Sequence, residues 1–190
     1  MIAPQIDWAF IRQEEGGQQL QGYVPSAQSG VTIASGVDLG QMHTNDLRQL
    51  PLPEPLLTRL LPYAGLEGDA AKTAIYTMPL TLTQQEATVL DEAMQTRETE
   101  RVVTRYQVLK SADMPDFSAL PASVQTVVMS LAWHLGVNIA YHSPRFWRTL
   151  LRQDWQAMYH ELRHFGTQHR YPARRRREAR LLEPLLTNAG

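Results

Sequence analysis

The part of the sequence that decides the fold is Gly30-Val31-Thr32-Ile33-Ala34-Ser35-Gly36-Val37-Asp38-Leu39-Gly40-Gln41. Its β-branched residues favour an extended strand and Gly36 favours a tight turn, so these residues predict a short β-hairpin. Such a hairpin would place Thr32 and Asp38 near the same end. A hydroxyl group and a carboxyl group are therefore expected close to each other.

A short apolar helix is predicted just before the hairpin. Asp7 is a good N-cap residue and Gly16-Gly17 supplies a left-handed ending, so the helix should run from Asp7 to Glu15. The C-terminal end of a helix has a partial negative charge, which favours the protonated form of a carboxyl group beside it. Because Glu15 lies at this end, the sequence predicts a proton donor upstream of the Asp38 carboxylate.

A protonated carboxyl group and an ionised one are the two groups that glycoside hydrolysis requires. The first can protonate the leaving oxygen, while the second activates water or attacks the sugar. A purely structural role stays open for both residues at this point. Glu15 would then be a solvated acid at a helix end, and Asp38 a turn residue that bonds to nearby backbone.

Further motifs along the chain are similar to those of a known family. Besides the hairpin, they are Glu15-Gly16, Gly22-Tyr23, Ser29-Gly30, Ser130-Leu131-Ala132-Trp133-His134-Leu135-Gly136, Asp154-Trp155 and Tyr171-Pro172-Ala173-Arg174-Arg175-Arg176-Arg177-Glu178. In their order and spacing, these motifs resemble the phage-type lysozymes. The resemblance is greatest to their pesticin-like branch, the muramidase domains of bacterial toxins.

The resemblance implies an α+β fold that is mostly α, with two lobes in a single domain over residues 1–190. The N-terminal lobe, about residues 1–80, would contain the β-hairpin. Residues 81–110 would form a connecting helix, which the capping box Thr83-Gln84-Gln85-Glu86 should begin. Residues 111–190 would form a helical C-terminal lobe, in which apolar residues at helical spacing predict a central helix that starts at Pro121.

The resemblance also implies catalytic roles for three residues. Glu15 matches the general acid of the family, Thr32 its active-site threonine, and Asp38 its catalytic aspartate in the pesticin-like form. The phage enzymes have their aspartate in the loop before the threonine, whereas residues 23–28 of this chain contain no acid. This difference favours the toxin branch over the phage branch.

Three further residues are candidates for substrate binding. Arg174 is the candidate for the arginine that pairs with the catalytic glutamate in phage enzymes, although the run of four arginines permits a shift of one residue either way. Tyr23 lines a sugar subsite or has a structural role. The position of Gln41 after Asp38 resembles the family motif, which makes it a candidate for substrate binding. A structural contact in the hairpin is the alternative role of Gln41.

The implied function is that of a muramidase, which hydrolyses the β-1,4 bond between N-acetylmuramic acid and N-acetylglucosamine in peptidoglycan. The resemblance to the phage enzymes implies that hydrolysis inverts the configuration at the anomeric carbon. No metal or other cofactor is expected. Glycan strands of peptidoglycan would be the binding partner. The resemblance to toxins suggests a cognate immunity protein as a second partner. A phage endolysin and a non-catalytic peptidoglycan-binding scaffold are alternatives, although the presence of Glu15, Thr32 and Asp38 together argues against a scaffold.

One motif indicates a different class of enzyme. His160-Glu161-Leu162-Arg163-His164 fits H-E-x-x-H, in which two histidines bind zinc and the glutamate is the base of a metallopeptidase. On a helix, however, the buried face is expected around Leu162, with both histidines on the opposite, solvated face. Arg170 occupies the third ligand position of the metzincins. The motif therefore predicts surface histidines, with the zinc metallopeptidase as a minor alternative.

Composition and charge exclude several other classes. The 190 residues have a net charge of −1 and no cysteine, so no strong field attracts nucleic acid or anionic lipid, and no disulfide is possible. The apolar runs are too short to span a bilayer, and residues 1–7 show no secretory signal. We expect a monomer that neither binds nucleic acid nor inserts into membranes. It would be made in the cytoplasm and delivered to the periplasm of a target cell by a secretion system or a phage or toxin route.

Overall fold

The computed structural model describes residues 3–164 and 171–187. Within these residues the chain forms one small antiparallel sheet and eleven α-helices, which confirms the mostly helical α+β class predicted from the sequence. The helices are α1 (Trp8–Glu14), α2 (Thr44–Arg48), α3 (Glu54–Leu60), α4 (Gly68–Thr77), α5 (Gln84–Leu109), α6 (Ala122–Leu135), α7 (Ile139–His142), α8 (Pro144–Leu151), α9 (Trp155–Arg163), α10 (Pro172–Arg180) and α11 (Glu183–Thr187).

The sheet has three strands in the order β1-β2-β3. They are β1 (Gln19–Tyr23), β2 (Thr32–Ala34) and β3 (Val37–Asp38), and a short 3-10 helix, Leu39–Gln41, follows directly. The predicted hairpin is confirmed as β2 and β3. Strand β1 was not predicted from the sequence, because most of its residues are polar and it lies at an edge of the sheet.

The chain divides into two compact units. One comprises Arg12–Arg97 and contains the sheet, helices α2 to α4 and the N-terminal half of α5. The other comprises the residues up to Ile11 and those from Glu98 onward. The lobe boundaries expected from the sequence, at about residues 80 and 110, stay a prediction.

The unit with the sheet is organised around β2, whose three residues are all buried. Val31 and Ile33 have no exposed surface, and neither do Leu39, Leu60 and Leu90 from the elements around the strand. A strand that is covered on both faces does not need alternating polar residues. Its burial explains why Ile33 and Ala34 are apolar although their side chains lie on opposite faces of the sheet.

Helix α5 begins at the predicted capping box. The Glu86 carboxylate accepts a hydrogen bond from the Thr83 N–H (2.8 Å), and Thr83 Oγ1 accepts one from the Glu86 N–H (3.2 Å). The bond from the Thr83 backbone lowers the pKa of Glu86, and Arg59 adds an ion pair at 2.5 Å. The predicted helix start is thus confirmed. A capping box satisfies N–H groups that the first turn of a helix leaves without partners.

The other unit is organised around α6. Val124, Val127 and Leu131 are completely buried, which confirms the central helix predicted from the apolar spacing. Pro121 was expected at the first helical position but is the N-cap, because its ψ of 138° is extended. The helix ends at Gly136, which has a φ of +87°.

The predicted N-cap at Asp7 is also confirmed, and Asp154 caps another helix in the same way. Asp7 Oδ1 accepts the Phe10 N–H (2.9 Å) at the start of α1, and Asp154 Oδ1 accepts the Ala157 N–H (2.8 Å) at the start of α9. Helices α8 and α10 each begin with a proline.

The longest described helix, α5, has 26 residues and a largely polar sequence. Within the described ranges, no helix is both long enough and apolar enough to span a bilayer.

Candidate active site

Three of the predicted site residues lie side by side across the sheet. Thr32 in β2 is opposite Tyr23 in β1 and opposite Asp38 in β3. Directly opposed residues of antiparallel strands point to the same face, so the three side chains form a row, which we call the site row. Thr32 is buried and Tyr23 is 43% exposed. The site row is therefore open to solvent at its Tyr23 end.

The Asp38 carboxylate is oriented by backbone N–H groups. Oδ1 accepts hydrogen bonds from the Gly40 N–H (2.9 Å) and the Gly30 N–H (3.1 Å), and Oδ2 lies 3.3 Å from the Gly30 nitrogen. Thr32 Oγ1 donates to the Gly30 carbonyl oxygen at 3.4 Å. Asp38 therefore bonds to nearby backbone, as its structural alternative predicted. The same bonds also give it the fixed orientation that a catalytic carboxylate needs.

Gly30 and Gly40 are required at these positions because their backbones approach closely. A Cβ atom added at Gly30 would lie 2.4 Å from the Gly40 nitrogen and 2.4 Å from Asp38 Oδ1. A Cβ atom added at Gly40 would lie 2.5 Å from the Leu66 carbonyl oxygen. Contacts this short would force the Asp38 carboxylate or the backbone around it to move.

A neighbouring loop contacts the residues that support Asp38. Glu67 forms an isolated β-bridge with Gly30, and the Gly68 N–H donates to the Ser29 carbonyl oxygen at 3.0 Å. Gln41, the last residue of the 3-10 helix, donates through Nε2 to Glu67 Oε1 at 2.6 Å. The structural contact expected as one alternative for Gln41 is therefore present. Its role in substrate binding stays a prediction.

Glu15 lies in the turn between α1 and β1, in the same compact unit as the site row. Helix α1 ends at Glu14, one residue earlier than predicted. The chain turns here because Gly16 and Gly17 adopt left-handed φ angles of +82° and +85°. The Glu15 N–H donates to the Arg12 carbonyl oxygen (3.2 Å), and the Glu15 side chain is partly buried.

A buried carboxylate that the sequence analysis missed lies close to both segments. Asp91, in α5, is 1% exposed and accepts hydrogen bonds from Ser35, at the tip of the hairpin, and from Gln18, in the turn after Glu15. In the sequence, the position of Asp91, four residues after Ala87 and three before Met94, is what could have identified it. Both of these residues are buried, so Asp91 interrupts the apolar stripe of the helix.

Arg174 belongs to the other unit, where it is part of a buried charged cluster. Arg174 Nε lies 3.2 Å from Glu178 Oε1, and Arg175 Nη1 lies 2.9 Å from Glu178 Oε2. Ser130 Oγ donates to Glu178 at 2.5 Å, and Arg174 lies 3.3 Å from His134 Nδ1. Burial raises the pKa of Glu178, although Arg175, Ser130 and Arg174 act in the opposite direction. Arg174 and Arg175 thus both pair with Glu178, and the contribution of Arg174 to substrate binding stays a prediction.

The two histidines of the H-E-x-x-H motif lie on the exposed face of α9. Their rings are 6.2 Å apart, His164 Nδ1 lies 2.8 Å from the His160 carbonyl oxygen, and Leu162 is completely buried. The predicted faces of the helix are thus confirmed. In the described part of the chain, no three His, Cys, Asp or Glu side chains are grouped so that they could hold a metal ion. Arg170, at the third ligand position, lies outside the described residues.

A mostly helical chain with a small sheet and an acid on its hairpin is consistent with the lysozyme-like fold. The family model described as "Pesticin: Bacterial toxin homologue of phage lysozyme, C-term" matches residues 5–156, well over half of the chain. The chain therefore belongs to the pesticin family of lysozyme-like bacterial toxins. A comparison with curated protein sequences gave no match.

Proposed function

We propose that the protein is a muramidase that hydrolyses the β-1,4 bond between N-acetylmuramic acid and N-acetylglucosamine in peptidoglycan. The observation that supports this most directly is the site row, in which Thr32 lies between Asp38 and the exposed Tyr23. Membership of a family of lysozyme homologues supports the reaction class. The site row supports the choice of residues.

Glu15 is the general acid of the proposed mechanism. Transfer of its proton to the glycosidic oxygen would let the C–O bond break while the sugar develops oxocarbenium character. The Gly16-Gly17 turn directs the chain from Glu15 into β1, whose last residue, Tyr23, belongs to the site row. A short segment with a defined backbone conformation therefore joins Glu15 to the site row.

Asp38 is the base that activates water. Its Oδ1 accepts two backbone N–H groups at 2.9 and 3.1 Å, whereas the Gly30 nitrogen is 3.3 Å from Oδ2. Oδ2 is the oxygen that we assign to take the proton of the attacking water, and Thr32 would position that water through its hydroxyl group. Water then attacks the sugar from the face opposite the leaving group, so we propose an inverting reaction.

Substrate binding is assigned to Tyr23, Gln41 and Arg174. The exposed ring of Tyr23 can stack on a sugar face and its hydroxyl group can bond to sugar hydroxyls. Gln41 retains the amide oxygen as an acceptor while its Nε2 bonds to Glu67. Arg174 would contribute through its guanidinium group, and the proposal requires neither a metal nor another cofactor.

As a lysozyme-like toxin, the protein would act on glycan strands in the periplasm of a target cell. We propose that it acts as a monomer, that it arrives through a secretion system or a phage or toxin route, and that a cognate immunity protein inhibits it. The phage endolysin alternative has the same activity and differs only in the source of the enzyme.

Mass spectrometry of digested sacculi tests the proposed reaction. Each cleavage should leave a new reducing end on N-acetylmuramic acid, and reducing N-acetylglucosamine or cut peptides would contradict the proposal. Proton NMR during early turnover tests the stereochemistry, since inversion of a β bond gives the α-anomer first. Binding of the protein to sacculi without release of fragments would instead favour the scaffold alternative.

The H-E-x-x-H motif makes a zinc peptidase the second candidate. We expect that EDTA leaves the release of sacculus fragments unchanged, because the proposed mechanism uses only carboxyl and hydroxyl groups. The measurement is the rate of turbidity loss of purified sacculi before and after dialysis against the chelator. Loss of activity with EDTA and its recovery with zinc would transfer the assignment to His160 and His164.

A further inference from the structure

Asp91 is a buried titratable group that the proposed mechanism does not use. It is 1% exposed, and all three of its hydrogen-bond donors in the described part of the chain are neutral. Burial of a carboxylate is costly unless its oxygens are well bonded, and paired polar groups of this kind contribute little net stability compared with apolar packing. A function in fixing geometry would explain a carboxylate at this position.

The bonds of Asp91 reach both segments that contain the proposed catalytic acids. Oδ1 accepts the Ser35 N–H (3.0 Å), and Oδ2 accepts Ser35 Oγ–H (2.7 Å) and Gln18 Nε2–H (2.6 Å). Ser35 is three residues before Asp38 in the hairpin, and Gln18 is three residues after Glu15 in the following turn. One carboxylate on α5 thus contacts both segments.

The hairpin end of this connection has an unusual backbone. Ala34, the last residue of β2, has a φ of +53°, a left-handed value that residues other than glycine rarely adopt. Gly36, on the other side of Ser35, has a φ of +81°. The two bonds from Ser35 to Asp91 therefore attach a tight, left-handed turn to α5, and this turn lies between the paired residues Thr32 and Asp38.

The other end of the connection is also fixed. The Gln18 amide donates to Asp91 through Nε2 and accepts a hydrogen bond from Gln84 Nε2 through Oε1. Because both ends of the amide are bonded, its orientation is determined. Gln84 and Asp91 both belong to α5, so the turn after Glu15 is attached to the same rigid helix as the hairpin.

We propose that Asp91 is a positioning residue, which holds the Glu15 turn and the Asp38 hairpin at a fixed separation on α5. This inference rests on the proposed muramidase function. Asp91 does not act on the substrate itself. Its effect would be on the distance between acid and base, and a misplacement of about 1 Å at a catalytic group can cost roughly 100-fold in rate.

The test uses one variant for each contact in the full chain. Gln18→Met removes the bond to Asp91 with little change in shape, Ser35→Ala removes the Oγ bond, and Asp91→Asn replaces one acceptor oxygen with an amide donor. Gln85→Met, at an exposed position next to Gln84 on the same helix, is the matched control. The substrate is solubilised glycan strands, and circular dichroism at the assay temperature establishes that each variant is folded.

We expect Gln18→Met and Ser35→Ala to lower kcat by about tenfold or more while KM stays within about twofold, because binding contacts remain and alignment is lost. Gln85→Met should keep the kcat of the wild type. In a Glu15→Gln background, Gln18→Met should lower kcat much less than it does alone, because both changes then act through one group. A purely structural role would not produce this non-additivity.

Two results would overturn the inference. One is an unchanged kcat in both Gln18→Met and Ser35→Ala, and the other is an effect of Gln18→Met that multiplies in full with that of Glu15→Gln. Should Asp91→Asn fail to fold, these two variants still decide the question. An absence of cleavage by the wild-type protein would overturn the proposed function, whereas cleavage with unchanged variants overturns only the role of Asp91.

Discussion

At the scale of single residues, the two proposed catalytic acids have different surroundings. Glu15 lies in a glycine turn after a helix, whereas Asp38 is bonded to backbone N–H groups in a hairpin. Different surroundings are how proteins assign an acid role to one carboxyl group and a base role to another. The exchange of either group for an amide should therefore affect activity far more than folding.

Glu15→Gln should keep the fold and lower activity by at least about 100-fold, since general acid catalysis is commonly worth 10²–10⁴ in rate. The glutamine has the same shape but no proton to donate to the leaving oxygen. Turbidity loss of purified sacculi measures the effect. The adjacent Glu14→Gln is the matched control and should clear sacculi at close to the wild-type rate. Near-normal clearance by Glu15→Gln would remove this residue from the mechanism.

Asp38→Asn tests the proposed base while the two shorter structural bonds, both to Oδ1, are kept. An asparagine Oδ1 can still accept the N–H groups of Gly30 and Gly40, so thermal unfolding should change little. The amide cannot take a proton from water, and activity should fall by about 100-fold or more. An active Asp38→Asn with an unchanged melting temperature would show that Asp38 has only the structural role.

At the scale of elements, the sequence predicted what local chemistry determines. The capping box at Thr83, the N-cap at Asp7 and the glycine stop after α1 depend on a few adjacent residues, and all are present. The hairpin was predicted for the same reason, because β-branched residues and a glycine determine it locally. Predictions of this kind need no knowledge of the rest of the chain.

What the sequence could not predict depends on contacts between distant segments. Strand β1 is polar and is a strand because it pairs with β2, and Asp91 binds Ser35 across 56 positions of the chain. The support of the Asp38 carboxylate by Gly30 and the Glu67 loop is of the same kind. Periodicity and propensity contain no information about such pairs, so this part of the site was found only in the structure.

The capping box of α5 should have a measurable effect on stability. Thr83→Ala removes the acceptor of the Glu86 N–H, and the loss of such a cap costs about 1 kcal/mol of unfolding free energy. The control is Thr88→Ala at an exposed position in the same helix, where the hydroxyl group bonds only to the preceding turn. Urea unfolding measures both variants, and equal stabilities would show that the cap has no net effect.

At the scale of the whole molecule, the stability of one unit depends on a buried charged cluster. Arg174 and Arg175 are 5% and 2% exposed and contact Glu178, which has no exposed surface. Removal of Arg175 would leave Arg174 beside Glu178 but would take away part of the charge compensation, and a buried charge that is incompletely compensated is costly. The cluster should therefore tolerate substitution poorly, in contrast to the exposed arginines of the same helix.

Arg175→Met should lower the free energy of unfolding by up to roughly 3–5 kcal/mol, the range found for broken buried pairs, since Arg174 still contacts Glu178. The exposed neighbour Arg176→Met is the control and should change it little. Burial already raises the pKa of Glu178, and loss of Arg175 would raise it further. The folded state then binds the proton more tightly than the unfolded chain, so the loss should be smaller in acid than at neutral pH. Urea titrations at both pH values measure this difference, and an equal loss at both would contradict it.

The ionised Glu86 at the first turn of α5 makes that helix sensitive to acidification. Hydrogen bonding lowers the pKa of this carboxyl group in the folded protein, so its stabilising effect is complete above the ordinary glutamate range and disappears as the pH falls through the lowered value. Protonation would then release the Thr83 amide and fray the helix from its N-terminal end. Helix α5 contains residues of both compact units, and an acidic environment would weaken this helix at its N-terminal end.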